Sequence, residues 1–421
     1  MKEKVCAVVV ASAFSIVSAN EASAAAFALS EQGASGLGNA YAGAAAAAED
    51  ASTLWWNPAG MARLPNGRHF AIAGTLISPS TEFSNRSSVA PGARPLGSEG
   101  GDAGDIAFVP SMFFAMDFGS RWNFGVGVNA PFGLSTEYSS DWIGRFQGIK
   151  SEIKSLNINP AVSYKFSNAV SVGFGLNYQR IEIETSTAVN LGVAEARNRL
   201  GLDGDAWGFN VGALFNVGRD TRVGVHYRSS IDHELDGDTN FTSPAVPSSN
   251  ARLDVKTPAS LSLSVAHHVD DRLEMLADLT WWEWSNIQSV PVVRTSGPAT
   301  GATAGTFAFN FDNTWRASIG ANYKLDGAWT LKFGVAYDQT PVPNAESRTV
   351  RLPDSDRYWL SAGAKYRLSP SGVVDFGYTF IKARDASIDS NQGTGPIGAG
   401  LVNGSYKASV HLLGVQYQHS F

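Results

Sequence analysis

The chain is almost without cysteine. Its one thiol, Cys6, falls in what reads as a leader peptide, so the processed protein has no disulfide and no thiolate chemistry. Charge is scarce as well. Asp, Glu, Lys and Arg make up 17% of the 421 residues, against roughly 25% in soluble globular domains. A net charge of −6 offers no basic face to a nucleic acid. The apolar stretch Val5 to Val17 is thirteen residues long, short of the about 20 that a membrane-spanning helix needs. A mean hydropathy of −0.08 argues against a bundle of such helices. Enzyme signatures are missing too: no His-Glu-x-x-His, no Gly-x-Ser-x-Gly and no phosphate loop. His267 and His268 point to opposite faces of a strand and cannot share a metal. The reading is therefore of a protein that is not an enzyme and carries neither metal nor cofactor.

What is abundant is glycine (43) and aromatics (23 Phe, 12 Tyr, 11 Trp), the residues of tight turns, crowded barrel interiors and membrane interfaces. The C-terminus is the sharpest signal. Leu413, Val415, Tyr417, His419 and Phe421 share one face at period two, and the chain stops on the aromatic. That pattern fits the sealing strand of an outer-membrane barrel, with Phe421 as the mark read by a barrel-assembly machinery. The same alternation recurs upstream. Val172, Phe174 and Leu176 alternate with Ser171, Gly173 and Gly175, and Leu331, Phe333 and Val335 alternate with Lys332, Gly334 and Ala336. Large apolar on one face and small or polar on the other describes a strand between lipid and a polar lumen.

About fourteen such strands are expected, near 68–78, 105–118, 121–133, 150–166, 170–184, 203–217, 221–231, 251–268, 272–285, 310–325, 328–340, 355–368, 372–385 and 404–421. Short turns alternate with long connectors near 79–104, 134–149, 185–202, 232–250, 286–309, 341–354 and 386–403. This is the asymmetry of periplasmic turns and outer loops. The fold class is all-β, a transmembrane antiparallel barrel over 68–421. Before it, Lys2 and Lys4, the apolar core and Ala22-Ser23-Ala24 read as a signal peptide over 1–24, cleaved after Ala24. Residues 25–67 are Ala- and Gly-rich and do not alternate. With Leu54, Trp55, Trp56 and Met61 costly to leave in water, they read as one short helix and a turn forming a plug, or hatch, inside the barrel.

Two segments carry a resemblance. Phe27-Ala-Leu-Ser-Glu-Gln-Gly-Ala-Ser-Gly-Leu-Gly-Asn-Ala-Tyr-Ala-Gly43 followed by Ala48-Glu-Asp-Ala-Ser-Thr-Leu-Trp-Trp-Asn-Pro-Ala-Gly-Met61 resembles the hatch of the FadL family. Ala130-Pro-Phe-Gly-Leu-Ser-Thr-Glu-Tyr138 resembles that family's segment at the end of the third strand. The resemblance implies a passive outer-membrane transporter of Gram-negative bacteria for long-chain fatty acids and similar hydrophobic compounds. It implies a hatch motif at Asn57, Pro58 and Ala59, a pocket residue at Phe27, and sideways release into outer-membrane lipid at a kink over Ala130, Pro131, Phe132 and Gly133. The residues themselves leave two readings of Pro131. It lacks a ladder N–H, so it either breaks the strand within the wall or ends it at the rim.

A fatty acid needs an apolar tunnel and one cation or hydrogen-bonding group. Strand parity turns Arg222, Arg228, Lys256, Arg316, Lys324, Lys332, Arg357 and Lys365 inward. Arg316, Lys332 and Arg222 are the candidates named for a carboxylate, unless lumen acids such as Glu274, Asp278, Asp338 and Asp375 claim them. Trp281-Trp282-Glu283-Trp284 reads as outer aromatic girdle, with substrate capture as the alternative. A channel for monoaromatic hydrocarbons would look almost the same in sequence, and a general diffusion porin would lack the plug.

Overall fold

The computed structural model describes residues 26–92, 94–119, 121–192 and 194–421; the expected signal peptide and Cys6 lie outside the described residues. Twenty antiparallel strand segments form one sheet. They are β1 (Arg68–Asn85), β2 (Ala107–Phe118), β3 (Trp122–Asn129), β4 (Gly133–Glu137), β5 (Lys150–Lys165), β6 (Val170–Asn190), β7 (Glu195–Val217), β8 (Thr221–Arg228), β9 (Ile231–Phe241), β10 (Ser249–Thr257), β11 (Ser260–His268), β12 (Leu273–Trp282), β13 (Ser289–Arg294), β14 (Thr303–Ala308), β15 (Thr314–Lys324), β16 (Trp329–Asp338), β17 (Arg357–Arg367), β18 (Gly372–Ala383), β19 (Ala386–Asn391) and β20 (Leu401–Ser420). Several are halves of one spanning strand interrupted by a break, as with β3 and β4, and together they make a closed barrel of fourteen strands. Closure is the pairing of β20 with β1, from His69↔Ser420 to Asn85↔Gly404.

The alternation sorts solvent from lumen. On β6, Val172, Phe174 and Leu176 are exposed while Ser171, Gly173, Gly175 and Asn177 are buried. Exposed apolar rows of this kind, continued on β16 by Phe333, Val335 and Tyr337, are tolerable only against lipid. Aromatic pairs mark both edges of the band. Trp329 stacks near Tyr366 (centroids 4.4 Å apart) at one level and Tyr337 near Tyr358 (5.4 Å) at the other. At ~3.3 Å per residue and ~40° tilt the two levels lie roughly 20 Å apart, the thickness of a thin outer membrane.

Beyond that band the wall continues where loops were expected. β6 and β7 stay paired out to Asn190↔Glu195, β9 and β10 occupy much of 232–250, and 286–309 holds the β13–β14 hairpin. The alternation inverts there: apolar residues such as Leu202, Leu235, Ala251 and Leu253 turn inward, while charged residues face water outside and bridge neighbouring strands in ion pairs such as Arg199–Glu184 (2.9 Å) and Arg252–Asp236 (2.9 Å). Lys256 faces outward and pairs with Asp232 (3.3 Å), contrary to the parity expectation. The break at 258–259 shifts the phase by one residue, so Leu253 and Thr257 point inward on β10 but Ser260 and Ser264 do on β11.

Residues 26–67 fill the barrel with four short helical turns instead of one helix: Leu37–Asn39, Ala44–Ala47, Thr53–Trp56 and Pro58–Arg63. Left-handed backbone at Ala40, Tyr41, Gly43 and Ala48 reverses the chain between the first three of them. The wall receives them on bare backbone. A Cβ on Gly224 would stand 1.9 Å from Ala45 O, and one on Gly212 2.0 Å from Asn57 Oδ1. Glu49 adds an electrostatic tie to Lys332 (2.9 Å) and Lys365. Burial opposes its charge, but the two ammonium groups outweigh burial and hold the carboxyl well below the usual range. Gly224→Val is expected to leave a heat-resistant barrel while unseating the hatch, read as new proteolytic cuts within 26–67. A cleavage pattern like the parent's would show the seat to be dispensable.

Candidate functional site

Above the hatch the inward rows turn apolar. Ile153 of β5, Ile181 and Ile183 of β6, and Leu253 and Val255 of β10 enclose a cavity of about 710 Å³. Val290 and Phe307 of the β13–β14 hairpin cover one side, and Phe27 of the hatch forms the floor. Phe27 lies 5.7 Å from the Phe132 ring and edge-on at 4.9 Å to Trp284. Trp284 is fully buried, so it departs from the girdle expectation that suits its neighbour Trp281, which is paired with Trp315 on β15. β12 and β15 close on each other beneath 283–313, and the helical turn at Trp284–Asn286 rolls the indole inward.

Among the described residues, one cation lines this cavity. Arg351 donates to Lys150 O (3.2 Å) and Ser151 Oγ (3.0 Å), both neutral oxygens, and its guanidinium sits 5.3 Å from the Phe307 ring centre. Burial lowers its pKa to about 10, which leaves it charged at neutral pH. The nearby Glu152 is matched by Lys150 (3.3 Å) and Lys154 (3.0 Å). Outward, the cavity meets a vestibule of about 1560 Å³ among the outer loops, sharing Thr185, Phe307, Phe309 and Arg351. Sideways it meets a second cavity of about 580 Å³, sharing Leu134 and Leu352.

The second cavity lies beside the break in the third strand. Asn129 faces Asn157 and Gly133 faces Lys154, so Ala130, Pro131 and Phe132 oppose only Ser155 and Leu156. That bulge bends the strand within the wall and not at its rim. The β2–β3 ladder ends at Met112↔Val128, and the next tie above it is Glu137 N to Ala103 O (3.1 Å). Between those points Phe132 N donates to Ser155 Oγ of β5 (2.8 Å), which donates back to Phe132 O (2.6 Å), and other backbone groups of the break find partners on the hatch. Leu29 N donates to Pro131 O (2.9 Å), Gly133 N to Phe27 O (2.8 Å), and Gln32 Nε2 to Ala130 O (2.7 Å). The start of the hatch is thus both the floor of the pocket and the inner partner of the break. Asp354 Oδ2 accepts from Ala26 N (3.1 Å), so the strap 351–354 touches the pocket and the hatch together.

The other expected residues lie elsewhere. Asn57 is fully buried. Its oxygen accepts from Ala59 N (3.1 Å) and its amide donates to Ala45 O (2.8 Å) and to Ala213 O of β7 (3.0 Å). Pro58 opens the following helical turn, and Ala59 O accepts from Ser171 Oγ of β6 (3.1 Å). The triplet therefore rivets the hatch to the wall on the side of β6 to β8. None of the three named cations lines the apolar cavity. Arg316 donates to Ala40 O (2.8 Å) and stacks 4.7 Å over Trp359, Lys332 binds Glu49, and Arg222 pairs with Glu274 (3.2 Å). Phe421 is exposed at the seam, where its N–H donates to Arg68 O (2.8 Å). Arg351 escaped sequence reasoning because strand parity does not extend into a loop. The available signal was a single charge between Val350 and Leu352, two apolar residues in an otherwise polar connector.

A closed barrel with exposed apolar rows on its outer face, an internal hatch and an apolar cavity has the build of an outer-membrane transport protein. The family model for outer membrane transport proteins (OMPP1/FadL/TodX) matches residues 15–421, and the chain belongs to that family. It is 28% identical over 413 residues to a long-chain fatty acid transport protein of Escherichia coli K12, covering 88% of this chain and 90% of that one. It is 27% identical to outer membrane protein P1 of Haemophilus influenzae, covering 96% and 97%. A FadL homologue of Pseudomonas aeruginosa superposes with a TM-score of 0.86 at 25% identity, over 94% of this chain and all of that one. The Ralstonia pickettii toluene transporter TbuX superposes at 0.69 and 18% identity, over 92% and 98%, which is a likeness of fold. The family is one of transporters, in keeping with a chain that is not an enzyme.

Asn57→Ala removes the cap and both amide bonds. The barrel is expected to assemble while the hatch loses about 1–3 kcal/mol of seating, measured as faster amide exchange over 53–60. Failure of the barrel itself to fold would make the triplet part of the wall's folding instead.

Proposed function

We propose that the protein passes long-chain fatty acids across the outer membrane without energy input, holding them in the pocket above Phe27 and releasing them sideways at Ala130–Gly133. The observation that carries the reading is an apolar cavity closed by a single guanidinium, Arg351, whose hydrogen bonds go to neutral oxygens. A carboxylate would replace those weak acceptors with a charge-assisted pair, while the acyl chain lies among the isoleucines. Solute enters from the vestibule, displaces Phe27, and with it the backbone partners of the break. It then leaves into membrane lipid through the stretch of wall where β2 has no strand partner on the β4 side. The likeness to fatty acid transport proteins supports this substrate class, and the hatch filling the barrel speaks against a general diffusion porin. In the same reading the chain is exported by a signal peptide cleaved after Ala24 and recognised by the barrel-assembly machinery at Phe421, which the exposure of that ring at the end of the closing strand supports.

Aromatic rings around Phe27 keep monoaromatic hydrocarbons as the second reading, and one substitution separates the two. Arg351→Leu is expected to weaken fatty-acid binding by about tenfold or more, the loss of one charge-assisted hydrogen-bonded contact, and to leave toluene binding as in the parent. Titration of both ligands into detergent-solubilised protein decides. Unchanged fatty-acid affinity would remove Arg351 from the site, and toluene binding without fatty-acid binding in the parent would favour the aromatic channel.

A further inference from the structure

The inward rows of the wall are stacked in tiers. On β6, Gly173 lies against the hatch at Pro58 and Ala59, Gly175 sits under the amides of Asn159 and Asn210, Asn177 and Gln179 come next, and Ile181 then opens the apolar cavity. β5 repeats the order with Ala161, then Asn159 and Asn157, then Ile153. The middle tier stays polar around most of the barrel. Asn210 of β7 bonds Asn159 and Asn177 (3.0 Å each), His226 of β8 lies 3.3 Å from Asn210, and Asp278 of β12 and Arg316 of β15 continue the belt. Asn157 Oδ1, Asn159 Oδ1 and Gln179 Oε1 are buried without a protein donor, so this tier draws water.

The belt does not close. On β18, β20, β1 and β2 the corresponding positions are Ile381, Leu412, Ile77 and Val109, all about 1% exposed, with Leu29 of the hatch and Ala130 of the break in the same cluster. The other wall residues of the tier in this sector are small hydroxyls, Thr75, Ser111 and Thr379, and the amide that reaches it, Gln32 of the hatch, is engaged by Leu29 O, Ala130 O and Asn129. Ile381 also lines the second cavity, which joins the pocket at Leu134 and Leu352.

We infer that the middle tier is a horseshoe of amides and charges that blocks apolar solute from descending along the barrel axis, and that Ile77, Val109, Ile381 and Leu412 form the one apolar lane through it, running from the second cavity to the break in the third strand. The inference rests on the lateral release proposed above and says what enforces it. An acyl chain crossing the belt must strip water from amides left without partners, which slows axial passage by roughly tenfold or more per group. In the lane it meets side chains like itself. Direction is therefore set by the polarity of the wall as well as by the gap in it.

The test places one hydroxyl pair in the lane without changing its volume by much. Ile77→Thr with Val109→Thr, reconstituted in vesicles, is compared with the parent for equilibrium binding of a fluorescent long-chain fatty acid and for its rate of transfer into the bilayer. Val109→Thr alone serves if the pair fails to give a heat-resistant barrel. Parent-like binding with transfer slowed about tenfold is expected. Binding and transfer both equal to the parent in the lane variant would overturn the lane. Absence of binding in the parent would instead overturn the pocket reading, and binding without transfer to the bilayer would overturn lateral release, the lane falling with either.

Discussion

Inside a bilayer every backbone N–H and C=O must find its partner within the protein, and the architecture follows from that requirement. A barrel meets it by pairing β20 with β1. Where the ladder is interrupted at Ala130–Phe132, the debt passes to another element. Leu29 N, Phe27 O and the Gln32 amide supply the bonds that a neighbouring strand would have made. Ser155 of β5 satisfies Phe132 and the hatch satisfies Ala130, Pro131 and Gly133, which makes the hatch part of the wall at that point and not simply a stopper within it.

The same demand shapes the interior. A segment of some forty residues fits inside the wall only where side chains give way, and the glycines facing Asn39, Ala45 and Asn57 are the result. Charge fixes what bare backbone cannot. Glu49 between Lys332 and Lys365, and Arg228 stacked 3.5 Å over Trp55, tie the middle of the hatch to opposite walls. Among the described residues, no such ion pair joins the first residues of the hatch, Ala26 to Leu29. Asp354 and three hydrogen bonds at the break hold them, so the segment divides into an anchored body and a lightly held beginning.

Much of this was legible because lipid imposes period two on whatever faces it. The outward rows of β6, β16 and β20 are readable residue by residue, and so was the plug, from Trp55 and Trp56 in a stretch that does not alternate. Legibility ended where that constraint ended. Above the membrane, Glu184 and Arg199 pair across a ribbon that read as loop. At 258–259 a shift of one residue turned Lys256 outward. Trp284 and Arg351, which matter most to the pocket, stand where no periodicity operates, and tertiary packing alone orients them. Lys332 and Arg316 did point inward, but the hatch had already claimed them.

On the proposed reading, Phe27 is at once the floor of the pocket and the residue whose carbonyl holds Gly133, so filling the pocket and opening the break would be one equilibrium. A ligand shifts such an equilibrium only by its differential affinity for the open form. Opening forgoes two or three hydrogen bonds at about 0.5–1.5 kcal/mol each and the burial of one phenylalanine at about 1.5–3 kcal/mol. Each methylene newly buried returns about 0.8 kcal/mol. A short acid therefore binds without opening, whereas an acyl chain with several methylenes beyond the reach of Arg351 carries the surplus. On the proposed reading, chain length would then be selected by the hatch and not by the size of the cavity, which is the physical sense in which a passive channel can prefer a long substrate.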